Sequence, residues 1–232
     1  MKSIIIVLST IFAMTAFSQE FEFDYHRDFN KILEQTKDSS SSLYYAKLLS
    51  RFKKNDMTMT NFDVLALLIG FTANDFYSPY NFDAQKAIKL NFDNKFTEAL
   101  ELCNSILALN PFNLDAIYAK SISFYELNIK DSSFYYIIKF KRIMRAMEVS
   151  GDGLSPETAI FALGALDGQI YIRVFLFNKI GIMGSGMDKY GNFVDILEMI
   201  IEDKETGEST SKKLYFNIQH ATKKAFGKRK NE

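Results

Sequence analysis

Tryptophan is absent from this 232-residue chain, cysteine occurs once, histidine twice and proline three times. Each scarcity excludes something. A lone Cys103 cannot form an internal disulfide, so stability must come from packing. Two histidines near opposite ends, with one cysteine, leave no cluster for a transition metal. Charge of one sign is also missing: 28 Lys and Arg balance 28 Asp and Glu. Nucleic-acid binding needs a concentrated positive surface, so the composition argues against it. Catalytic motifs are lacking too. Ser185 has Gly184 and Gly186 immediately beside it, the wrong spacing for a nucleophile elbow. The same stretch lacks the third glycine of a dinucleotide loop, and no Walker pattern occurs. Asp24, His26 and Asp28 are two residues apart, which on a helix does not give a shared face. The sequence therefore predicts no enzyme and no cofactor.

What is present begins with an export signal. Lys2 is followed by an apolar run from Ile4 to Phe17, then Ala16, Phe17 and Ser18 precede a charged stretch. Small residues at −3 and −1 predict a cut after Ser18. The run falls short of the roughly 20 residues that span a bilayer. No cysteine stands at the cut to carry a lipid. The expectation is a soluble periplasmic or extracellular envelope protein, not a lipoprotein, with no stable membrane insertion after cleavage.

Helical periodicity dominates residues 19–149. Asp24 to about Lys37 places Phe29, Ile32 and Leu33 on one face. Asp38–Ser42 breaks that helix before Leu43–Phe52. Thr60 with Asp63 predicts a capping-box variant opening an apolar helix from Asn61 to about Thr72. Phe96, Ala99, Cys103, Ile106, Leu107 and Pro111 then have the spacing of the second half of a tetratricopeptide repeat. The unit would run from Tyr80 to Asn113, with Ala87 and Leu90 where its two helices meet. A degenerate second unit starts at Leu114. An ordinary pair of helical hairpins is the competing reading. If the repeat reading holds, Asn81, Ala84, Ile88, Asn91 and Phe92, then Asp115, Tyr118, Ile122, Tyr125 and Glu126, face a concave groove, with Asn91, Tyr118, Tyr125 and Glu126 its most suggestive members. Amides and tyrosines suit such a groove because they pin a peptide backbone and bury ring area. The same tyrosines would otherwise pack against the C-terminal part.

The texture changes at residue 150. Ser150–Gly153 is a turn, and its Asp152 with Glu157 lacks the alternating ligands of a calcium loop. Thr158–Ala165 reads as a strand or a short helix, and Asp167–Asn178 as a helix. Gly181, Gly184, Gly186 and Gly191 predict a flexible loop. Phe193–Glu202 and Lys213–Ile218 predict a hairpin closed by Asp203–Gly207. Residues 223–232, with Lys223, Lys224, Lys228, Arg229 and Lys230, read as a basic tail.

Several stretches look familiar together. Residues 43–52, Asp56-Met57-Thr58-Met59-Thr60, Tyr77-Ser78-Pro79-Tyr80, Asn110-Pro111-Phe112, residues 151–159, 193–197 and 213–218 occur in order. They resemble a family of exported Bacteroidota proteins catalogued as domain of unknown function 4919. The chain departs from that pattern at Leu65–Ile69, where tyrosines are usual. It departs again at Asp167-Gly168-Gln169, where an acidic–tyrosine pair is usual. The resemblance implies export and no particular activity.

These readings predict an α+β chain, mainly α: a signal peptide over 1–18, tetratricopeptide-like antiparallel hairpins over 19–149, and a small α+β region with an antiparallel sheet over 150–222. The expected role is a non-enzymatic scaffold that binds another envelope protein or a peptide. The alternative is a hydrolase or small-ligand-binding protein with a cleft between the two parts, using acids such as Asp152, Glu157 and Asp195.

Overall fold

The computed structural model describes residues 23–203 and 205–227. The expected signal peptide lies outside the described residues, as do Lys228, Arg229 and Lys230. Helix α1 (Tyr25–Lys37) opens on Asp24, whose side chain accepts from the Arg27 backbone N–H at 2.7 Å. Asp28 reaches back to the Asp24 N–H, so two otherwise orphaned donors are satisfied. Helix α2 (Tyr45–Lys53) leads to α3 (Asn61–Phe71), which carries the predicted Thr60–Asp63 capping box in full. Every residue of α3 from Val64 to Phe71 is buried. It is apolar all round because α1, α2 and the later α7 (Lys130–Glu148) enclose it.

Between them lie α4 (Ala84–Phe92), α5 (Phe96–Leu109) and α6 (Leu114–Glu126). Ala84, Ala87, Cys103, Ala116 and Ala119 form one buried cluster there. Small side chains let the three helices approach closely, which explains why Cys103 belongs to packing. Asn55, Asn94 and Asn128 follow α2, α4 and α6 with φ of 53°, 58° and 60°. Asparagine tolerates this left-handed turn, which ends a helix abruptly.

The chain is α+β. Its sheet comprises β1 (Ile160–Phe161), β2 (Lys179–Met187), β3 (Phe193–Glu202) and β4 (Ser209–Asn217), in the order β1-β4-β3-β2. Between β1 and β2, the short helix α8 (Asp167–Ile170) continues as a π-helical turn, Tyr171–Phe175. The β3–β4 hairpin matches the expectation, with Glu202 paired to Ser209 across the turn. Two features correct it. First, the sheet is mixed, because β1 pairs with β4 in parallel. Residues 160–163 are buried throughout, so no alternation marked the strand. Second, the glycine-rich stretch is the nine-residue edge strand β2. Its register shifts between Ile180 and Met183, where a side chain at Gly181 would meet Glu198 Oε2 at 2.3 Å. Glu198 accepts from the Ile182 N–H instead. The glycine marks a bulge in a strand.

Helix α9 (Gln219–Phe226) closes the described chain. It takes in Lys223 and Lys224, so the basic end begins inside a helix and not in a tail. His220 stacks on Phe161 and Phe29 at ring distances of 4.6 and 5.5 Å, and its Nδ1 lies 3.4 Å from the Tyr25 hydroxyl. One apolar core runs from α1 through α3 and α7 to β1, β3 and β4, so residue 150 is not a packing boundary.

Candidate functional site

A groove of about 430 Å³ lies where α4 and α6 face α8 and the π-helical turn. Ile88 and Phe92 come from α4, Asp115 and Tyr118 from α6. Leu166, Ile170, Arg173 and Val174 form the opposite wall. Helical period places the first four: residues 88 and 92, and 115 and 118, share a face. The walls are largely apolar, and Phe92 at the rim is 82% exposed. This size and lining suit a ligand or an inserted side chain.

Two charged groups stand in the groove. Burial pushes the Asp115 carboxyl up to about 6, and the positive charge of Arg173 pulls it back. No described residue donates a hydrogen bond to Asp115, and no ion pair joins it to Arg173. Behind Asp115 is a narrow cavity of about 30 Å³, shared with Tyr77, Asn81, Asn110, Asn113 and Asp167. It has room for a single water. Asp167 accepts from the Gly164 N–H at 2.8 Å, and burial pushes its carboxyl up to about 7, helped by the negative charge of Asp115. Tyr77 donates to the Leu163 carbonyl at 2.6 Å, fixing the loop that carries Gly164. Asp115 thus lies at the junction of groove and cavity, and Asp167 lines the cavity behind it.

The four groove residues expected from sequence fare differently. Tyr118 lines the groove and packs on Phe140 at 5.5 Å. Asn91 is committed elsewhere: its amide donates to the Ala119 carbonyl at 2.8 Å and accepts from Ser123 at 2.6 Å. It braces α4 against α6. Tyr125 and Glu126 are exposed at the end of α6 and do not line the groove. The acids of the alternative reading do not converge. Asp152 caps its own turn through Leu154 and Thr158, Glu157 meets the Lys189 N–H at 3.4 Å, and Asp195 stands on β3. Sequence reasoning missed the opposite wall and Asp167. The one available signal was the departure from the family pattern at Asp167-Gly168-Gln169.

Among the described residues, no three His, Cys, Asp or Glu side chains gather as metal ligands would. No described helix is long and apolar enough to cross a membrane. A family model described as Domain of unknown function (DUF4919) matches residues 30–226. The chain belongs to this family. The DUF4919 span runs from within α1 to the end of α9 and so includes both walls of the groove. No curated protein and no solved structure matches the chain.

Proposed function

We propose that this DUF4919 chain is an exported, non-enzymatic binding module that holds a segment of another envelope protein in the groove. The observation that carries the reading is the groove itself. It has apolar walls, an exposed aromatic rim, and one carboxyl and one guanidinium not paired with each other. The helical arrangement supports a tetratricopeptide-like scaffold: α4–α5 and α6–α7 form successive hairpins, and α4 lies beside α6. The apolar start of the sequence supports export to the periplasm or cell surface.

The test is peptide display against the purified protein, followed by binding of selected peptides to Phe92→Asp and Arg173→Glu. Both side chains are exposed, so the fold tolerates the changes. Binding at least tenfold weaker in both variants supports the groove. Unchanged binding in both refutes it. Export is tested by N-terminal sequencing of envelope protein, which should begin at Gln19.

The two carboxyls that line one cavity favour a second reading, a small-ligand or hydrolytic cleft between the helical and C-terminal parts. Asp115 and Asp167 replace Asp152, Glu157 and Asp195 in it. Turnover of peptide or glycoside reporters that disappears in Asp115→Asn would support this reading, and the absence of turnover counts against it.

A further inference from the structure

A second pocket, of about 610 Å³, lies away from the groove and draws on four parts of the chain. Tyr25 and His26 come from α1, Thr72 from the end of α3, Tyr190 from the β2–β3 turn, and His220, Lys223 and Lys224 from α9. The fold therefore brings both histidines of the sequence to one place. Its volume falls in the range of small-molecule sites.

The lining has two chemical characters. One is flat and aromatic. His26 and Tyr190 stack in parallel, 4.0 Å apart with 1° between their planes. Tyr25 stacks on Phe29, and His220 lies against both Phe29 and Phe161. Burial among these rings pushes His220 down to about 3, so it serves as a neutral ring at ordinary pH. The other character is cationic. Lys223 and Lys224 are successive residues of α9, and neither has an ion-pair partner among the described residues. Among the described residues, no carboxylate lines the pocket. Asp188, whose charge reaches Tyr25, is hydrogen-bonded inside its own turn. It accepts from the Tyr190 and Asn192 N–H groups and from the Asn192 amide. Two ammonium groups beside aromatic faces, unpaired with any described carboxylate, select a ligand that is both anionic and planar.

We infer that this pocket is a binding site for a small aromatic carboxylate. The ring lies against the His26–Tyr190 slab and the carboxylate meets Lys223 and Lys224. The site does not depend on the groove reading, and either can fail alone.

The experiment is titration calorimetry of the full chain with benzoate, 4-hydroxybenzoate and indole-3-acetate. The neutral 4-hydroxybenzamide and inorganic phosphate serve as controls. At least one aromatic acid should bind saturably, with the amide and phosphate each at least tenfold weaker. The double variant Lys223→Gln with Lys224→Gln should weaken binding at least tenfold while its circular dichroism is unchanged. Tyr190→Ala should weaken it with the lysines intact. The inference is overturned if no aromatic acid saturates the protein, if the amide or phosphate binds as well, or if the lysine variant binds as the parent does.

Discussion

His220 offers the sharpest test of how the fold is held together. It is 6% exposed and packed among Phe29, Phe161, Tyr25 and Tyr77. Burial lowers its folded value from 6.5 to about 3. A base whose folded value is depressed excludes the proton that the unfolded chain accepts. The native state is therefore undisturbed above pH 6.5 and loses stability as the pH falls below it. Between pH 7.5 and pH 5 the loss is about 2 kcal/mol, from 1.36 kcal/mol for each of roughly 1.5 pH units below the unfolded value. Asp115, Asp167 and Asp195 act in the opposite sense, because their raised folded values favour proton uptake by the native state. The contribution of His220 must therefore be isolated by difference. His220→Phe keeps a ring in the stack and removes the titration. Urea unfolding of parent and variant at the two pH values gives the test. The variant should gain about 2 kcal/mol on the parent at pH 5 relative to pH 7.5. A stability gap that is the same at both pH values would refute the buried, uncharged assignment.

Other predictions rest on single contacts. Asp167→Asn should be more stable than the parent above pH 7, since it removes a carboxyl that ionises at a cost in the fold. The advantage should shrink as pH falls towards 4, measured by urea midpoints. Gly168→Ala places a methyl 2.8 Å from the Phe216 ring and 3.0 Å from Leu197, so it should cost about 1–3 kcal/mol. Gly184→Ala meets nothing within 4 Å and should unfold close to the parent in the same assay. Asn91→Ala breaks two contacts between α4 and α6 and should cost about 1–3 kcal/mol. A variant that lost peptide binding with stability intact would return Asn91 to the groove.

Local signals made much of this fold legible. Asp24, Thr60 with Asp63, and the helical spacing of residues 84–126 each state a rule that tertiary structure did not override. The β3–β4 hairpin was readable for the same reason. The misread elements depend on distant partners. β2 is a strand because β3 offers it an edge and Glu198 fills the gap at Gly181, with Glu198 lying 16 residues beyond Ile182 in sequence. Thr158–Ala165 reads from sequence as either strand or short helix, and the β4 partner decides for the strand. Half of the groove was visible because periodicity puts Ile88, Phe92, Asp115 and Tyr118 on inward faces. Its other wall was not, since no local pattern says which surface α8 will cover. The meeting of His26 with His220 has the same character.

The contact of α1 with α9 has a topological consequence. Tyr25, Phe29 and His220 bring the first and last described helices into one stack, so the described chain closes on itself. A linker joining Phe226 to Phe23 would keep that seam. New termini cut at the exposed turn beside Gly207 fall where no residue belongs to the core. Among the described residues, the place where the chain opens is thus less fixed than the stack that holds α1 to α9.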